Sequence, residues 1–326
     1  MNNDDKQGRM RSAQLDEPYI RIPRFVNEDI QILGGRHSPH LEWPSLPGLW
    51  GQSRGQGVKV AVLDSGAKIK HPALEANIKG KKNFTGGAID DVTDEVGHGT
   101  MVAGIIGARD PASQMFGVAP DVELYIGKVI NRVSSGAVES LENGIKWAMD
   151  NHVNVINISL SSARFLPRIK QKIDSADTAG IFVVCAAGND GITGLDFPAI
   201  YEKCIAVGAV TRNNVRWEDP GGGSSAIGEG LDLMALGHRV PSTSIDHDGV
   251  SVKSGTSLAA PFVTGLLALG LAVHRKRHGV SPNHDHRKLR EHLEHTAIDL
   301  PIQKPDGFED HHGHGLINPE AFIAAI

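Results

Sequence analysis

Five short apolar runs, residues 58–63, 123–130, 153–160, 181–186 and 205–210, carry Val, Ile, Leu and Ala on successive as well as alternate positions. A strand apolar on both pleat faces is one covered on both sides, as in a parallel sheet wrapped by helices. Between and after these runs the spacing becomes helical, over 98–108, 138–151, 166–179, 257–277 and 287–295. This alternation predicts an α/β fold: a doubly wound, mostly parallel sheet with helices on both faces, in a single domain. Asn318-Pro319-Glu320 starts a last short helix, with proline at its first position. Residues 194–200 and 217–227 (WEDPGGGSSAI) read as loops.

Ahead of residue 58 the pattern differs. Tyr19-Ile20-Arg21-Ile22-Pro23-Arg24-Phe25 alternates apolar and polar, and Pro, Gly and His are dense after it. This predicts an N-terminal extension over 1–45, an extended arm plus linker, ahead of a globular part over 46–326. The stretch closest to a membrane span, 258–273, falls short of the roughly 18 apolar residues needed. It runs into His274-Arg275-Lys276-Arg277, so it reads as a buried helix whose cationic end suits the helix dipole.

Composition narrows the classes. With 40% hydrophobic and 22% charged residues, the 326-residue chain is neither collagen-like, coiled-coil nor wholly disordered. Thirty-three basic against 38 acidic residues give a formal charge of −5, which offers nucleic acid no basic field. Cys185 and Cys204 are too few for a disulfide framework and suit a reducing compartment. Residues 1–11 lack the apolar run of a secretory leader, so a cytoplasmic location and no membrane partner are expected. His284, His286, His311, His312 and His314 lack Cys or carboxylate partners at ligand spacing, so no metal centre is expected there.

Three glycine-rich segments at element boundaries carry reactive side chains: Val62-Leu63-Asp64-Ser65-Gly66, Gly97-His98-Gly99-Thr100 and Ser254-Gly255-Thr256-Ser257-Leu258-Ala259. A serine hydroxyl is a weak nucleophile, so a neutral imidazole must take its proton as it attacks a carbonyl. A carboxylate on the other ring nitrogen orients that imidazole and stabilises it when protonated. Asp64, His98 and Ser257 have the right types. Their chain order, Asp before His before Ser, excludes an α/β-hydrolase, in which the serine comes first.

From residue 57 onward these segments resemble the subtilisin-like serine peptidases. The resemblance implies hydrolysis of polypeptides through an acyl-enzyme, with no cofactor required for catalysis. Asn189, in Ala186-Ala187-Gly188-Asn189-Asp190-Gly191, would supply the oxyanion hole beside the Ser257 N–H. Ser134, Ser135 and Gly136 on one side and Ser159, Leu160 and Ser161 on the other would flank an extended substrate, which adds as a β-strand. The specificity pocket would lie between Leu160-Ser161 and Ala186-Ala187-Gly188. It is expected to be apolar and fairly roomy, narrowed by Ser161 where the family usually has glycine. Leu258 replaces the usual methionine, so oxidants should inactivate less readily. The loop 109–115 is poor in oxygen side chains, so the family's calcium site is not expected there, although a structural calcium elsewhere stays open.

Within the family the chain is most similar to bacterial intracellular subtilisins, through residues 49–60, Val184-Cys185-Ala186-Ala187 and Ile20-Arg21-Ile22-Pro23-Arg24-Phe25. The last resembles an extension that lies across the active site until removed, which implies an inhibitory arm and a zymogen. A homodimer is also consistent with that resemblance. Two other readings stay open: a dedicated leader-peptide maturation protease, and a catalytically silent peptide-binding fold.

Overall fold

The computed structural model describes residues 19–23, 26–27, 38, 45–132, 135–191, 194–246, 249–279, 284–300 and 312–326, with Ser135, His284 and Asp285 described by backbone alone. Arg24, Phe25, Ser134, His311 and residues 1–18 of the expected extension lie outside the described residues.

The β-branched runs form strands because their side chains pack well on a pleated surface buried on both faces. All five predicted strands are present, as Lys59–Asp64, Glu123–Lys128, Val155–Ile158, Phe182–Ala186 and Cys204–Val210. They join two more in one seven-stranded parallel sheet. Its order is Leu233–Leu236, Cys204–Val210, Phe182–Ala186, Val155–Ile158, Lys59–Asp64, Glu123–Lys128, Ile78–Asn83.

The faces divide by alternation. Val60, Val62, Val155, Val184 and Val207 pack with the helices His98–Gly107 and Thr256–His278. Ala61, Leu63, Ile156, Ile158, Val183 and Cys185 pack with Val138–Asp150 and Pro167–Thr178. Thr256–His278 is long and apolar enough to cross a membrane, yet its apolar window is wholly buried in the protein core. His284–His295 begins three residues earlier than expected. Pro319–Ala325 is capped by Asn318, whose side chain accepts from Ala321 N.

Two strands were missed. Ile78–Asn83 (IKGKKN) occupies the sheet edge, where lysines blunt unwanted pairing and lower the apolar signal. Leu233–Leu236 is four residues long, too short for a period to register.

The chain leaves Lys59–Asp64 toward one side of the sheet and Val155–Ile158 toward the other. The carboxyl ends of two such strands open the crevice in which α/β sheets bind ligands. Asp64 and Ser159 stand at those ends.

Candidate active site

Asp64 ends its strand and His98 starts its helix, and the two meet in the crevice with fully buried side chains. His98 Nδ1–H donates to Asp64 Oδ1 over 2.8 Å, and Ser65 N donates to the same oxygen over 2.7 Å. Because only the protonated ring nitrogen can donate to a carboxylate, this bond fixes the tautomer and leaves the Nε2 lone pair for a substrate-side proton. The approach needs glycine. A Cβ on Gly99 would stand 2.2 Å from Gly66 O and 3.1 Å from Asp64 Cβ.

Asp94 ties these segments together. Its Oδ2 accepts from Thr100 N (2.8 Å) and Thr100 Oγ1 (2.7 Å). Its Oδ1 accepts from Ser65 Oγ (2.9 Å), Val96 N (3.0 Å) and Gly97 N (2.8 Å). Ser65 Oγ accepts in turn from Gly99 N over 2.9 Å. A carboxylate at a helix start satisfies otherwise orphaned N–H groups, and here it also sets the His98 helix against the Asp64 strand.

Ser257 is the second residue of Thr256–His278, and that helix packs against His98–Gly107. Pro261 sits one turn on and has no N–H to give to the Ser257 carbonyl. Ser159 Oγ makes up the loss, donating to Ser257 O over 2.9 Å. Ser159 Oγ accepts from Asn157 Nδ2 (3.0 Å), whose Oδ1 accepts from Thr264 Oγ1 (2.9 Å). The Ser159 side chain therefore supports the Ser257 backbone, while its main chain remains at the end of the strand Val155–Ile158. The Ser257 hydroxyl is buried and uses none of its hydrogen-bonding capacity among the described residues.

Asn189 follows Phe182–Ala186. Its Oδ1 accepts from Thr256 N (2.8 Å) and Thr256 Oγ1 (2.7 Å). Only the carbonyl end of an amide can accept, so Thr256 fixes which end is which and makes the NH2 the donor end. The loop 217–227 braces the segment from behind: Ser224 N donates to Asn189 O (3.0 Å) and Gly191 N to Ser224 O (3.1 Å).

The expected cleft holds the chain's own arm. Tyr19–Arg21 pairs antiparallel with Ser135–Ala137, placing Ile20 opposite Gly136. On its other edge Arg21 N donates to Ser161 O (2.8 Å) and Ser161 N to Arg21 O (2.7 Å). Farther on, Val26 pairs with Ser254, three residues before Ser257. Ile20 and Ile22 are buried in the core cluster that contains Leu160 and Ala187.

Asp196 lies against the segments expected to wall the pocket: its N donates to Ala187 O (3.0 Å), and a Cβ on Gly188 would stand 2.9 Å from its Oδ2. Burial raises the Asp196 carboxyl above its usual range, and the nearby Asp190 adds to the rise. At the rim Arg21 Nη2 donates to Asp190 Oδ2 over 2.8 Å.

A family model for subtilases matches residues 55–315, most of the chain. The chain belongs to the subtilase family. Over 267 residues it is 40% identical to subtilisin Savinase of Lederbergia lenta, covering 82% of this chain and 91% of that one. It is equally similar to an alkaline protease of Alkalihalobacillus alcalophilus, of which the match covers 64%. Subtilisin E of Bacillus subtilis (strain 168) is 38% identical over 271 residues. Fold and family agree with the sequence reading, and the protein is a subtilisin-like serine peptidase.

Asp94 and Thr256 were passed over in the sequence of this subtilase. A carboxylate four residues ahead of His98, at a helix start, is a capping signal that could have flagged Asp94. Thr256 offered none, because its partner lies 67 residues away. The subtilase variant Thr256→Val keeps the backbone donor to Asn189 but loses the hydroxyl. One hydrogen bond is worth about 1 kcal/mol. A roughly fivefold fall in kcat with little change in KM is therefore expected in steady-state hydrolysis. An unchanged kcat would mean that the backbone bond alone orients Asn189.

Proposed function

We propose that this subtilase is a cytoplasmic serine endopeptidase kept inactive by its own residues 19–27 until they are removed. The observation that carries the reading is the arm's pairing on both edges, with Ser135–Ala137 and with Ser161, where an extended substrate would add. A tethered segment competes at millimolar effective concentration, ahead of any dilute peptide. Pro23 rigidifies the arm beside the cleft and makes poor geometry for cleavage.

In the open enzyme Ser257 Oγ attacks the substrate carbonyl while His98 Nε2 takes its proton. Asp64 holds the ring and stabilises the imidazolium. Asn189 Nδ2 and the Ser257 N–H receive the oxyanion. His98 then gives the proton to the leaving amine, and water repeats the sequence on the acyl-enzyme.

The cytoplasmic part rests on the likeness of the arm to that of intracellular subtilisins and on Cys185 and Cys204. Two cysteines are too few for a disulfide framework, and these are buried with their sulfurs 3.4 Å apart. A charged pocket also suits selective cleavage, which favours a maturation protease as the second reading.

Fluorophosphonate labelling tests the proposal on the full chain and on a version beginning near residue 45, each beside its Ser257→Ala control. Thermal unfolding establishes that each is folded. The shortened form is expected to label at least tenfold faster, and intact mass should place one adduct per chain. Equal labelling of the two would remove the arm from the reading, and none in either would favour the silent peptide-binding fold.

A further inference from the structure

We infer that this protease selects a lysine or arginine at the substrate position just before the cleaved bond. The inference rests on the endopeptidase reading above and assigns its substrate class. A peptide running in the arm's direction passes Ser135–Ala137 and Ser161 before it reaches Ser257. The pocket between Leu160-Ser161 and Ala187-Gly188 therefore receives a side chain from the acyl side of the cut. Ser159, bonded to Ser257 O, and Asn189, bonded to Thr256, place that pocket next to the attacked carbonyl.

Two carboxylates address this space. Asp196 is held beneath it by its N–H bond to Ala187 O and by the paired backbones of Ser162 and Phe197. Asp190 stands at the rim, directly after the oxyanion residue. The arm supplies the answering charge. Arg21 is directly opposite Ser161, and residues directly opposite in an antiparallel pair share a face. From that face its guanidinium reaches Asp190 at 2.8 Å.

When the arm leaves, Asp190 loses the cation bonded to it and Asp196 loses a nearby positive charge. An apolar side chain entering would desolvate them without a partner, which is costly. A glutamate would meet like charge, whereas an ammonium or guanidinium restores charge-assisted hydrogen bonds. The remaining walls, Leu160, Ala187 and Gly188, accommodate the aliphatic stem of such a side chain.

The full chain is nicked in its arm by an immobilised protease, and the opening is followed by fluorophosphonate uptake. Peptide amides differing only in the residue before the cut, Arg, Lys, Leu, Phe or Glu, then give kcat/KM values. Arg and Lys are expected to exceed Leu and Phe by about 10- to 100-fold, the worth of a charge-assisted hydrogen bond. Glu should be the poorest. Asp190→Asn and Asp196→Asn should each shrink the Arg-to-Leu ratio. Asp190 is 42% exposed, so its part should also fade as salt rises from about 0.05 to about 0.5 M. Leu or Phe cleaved as fast as Arg, or ratios unmoved in both variants, would overturn the inference and leave the peptidase standing. If nicking yields neither label uptake nor hydrolysis, the endopeptidase reading fails and takes this one with it.

Discussion

Replacing Ser257 by alanine is expected to lower kcat of the arm-free protein about 10⁶-fold, a magnitude that is subtilisin's own. The geometry explains why so little else should change. The Ser257 backbone is held by Ser159 and by the helix start, neither of which involves the lost hydroxyl. Ser257 Oγ forms no hydrogen bond among the described residues, so its deletion leaves no partner stranded and thermal unfolding should scarcely move. His98→Ala should cost about as much, and the double variant little more, because the two act as one unit. Active-site titration and single-turnover hydrolysis would read these values. A Ser257→Ala protein retaining about 1% of wild-type turnover would show that another group attacks.

The second large effect is at Asn189. Asn189→Leu should reduce kcat by about 10²- to 10³-fold, again a scale taken from subtilisin, with KM nearly unchanged. Charge develops on the carbonyl oxygen only as Ser257 adds, so a donor aimed at it contributes to the transition state and not to substrate binding. This chain adds a structural cost. Leucine cannot accept from Thr256 N and Oγ1, and leaving buried donors unsatisfied costs about 1–3 kcal/mol each. A lowered unfolding midpoint is thus expected alongside the kinetic loss. Asn189→Asp keeps the acceptor and should recover much of the stability without recovering turnover. If both variants lose stability and rate in proportion, Asn189 is structural and not an oxyanion donor.

The partial burial of Asp196 is not suggested by the pattern of residues. The segment 194–200 reads as a plain loop, and nothing local distinguishes Asp196 from a solvated turn carboxylate. Its surroundings come from Ala187 and Gly188, which follow the strand Phe182–Ala186, and from Ser161, which follows Val155–Ile158. The side-chain role of Ser159 is hidden for a related reason: it bonds the Ser257 carbonyl that Pro261 leaves open, 98 positions along the chain. Ile78–Asn83 escaped because an edge strand has one neighbour and its lysines tell of solvent, not of a sheet.

The sequence by itself determined the five central strands and the helices between them, and it picked out Asp64, His98 and Ser257 as the candidate trio. Those features rest on side-chain periods and boundary glycines that act within a few residues, so they can be read along the chain. Tertiary structure alone decided which distant groups support or screen that trio. Arg21 reaches Asp190 across 169 positions and Ser159 reaches the Ser257 carbonyl across 98. Such contacts exist only after parallel strands have been brought side by side, because sheet order depends on loop closure and packing of both faces and not on any local period.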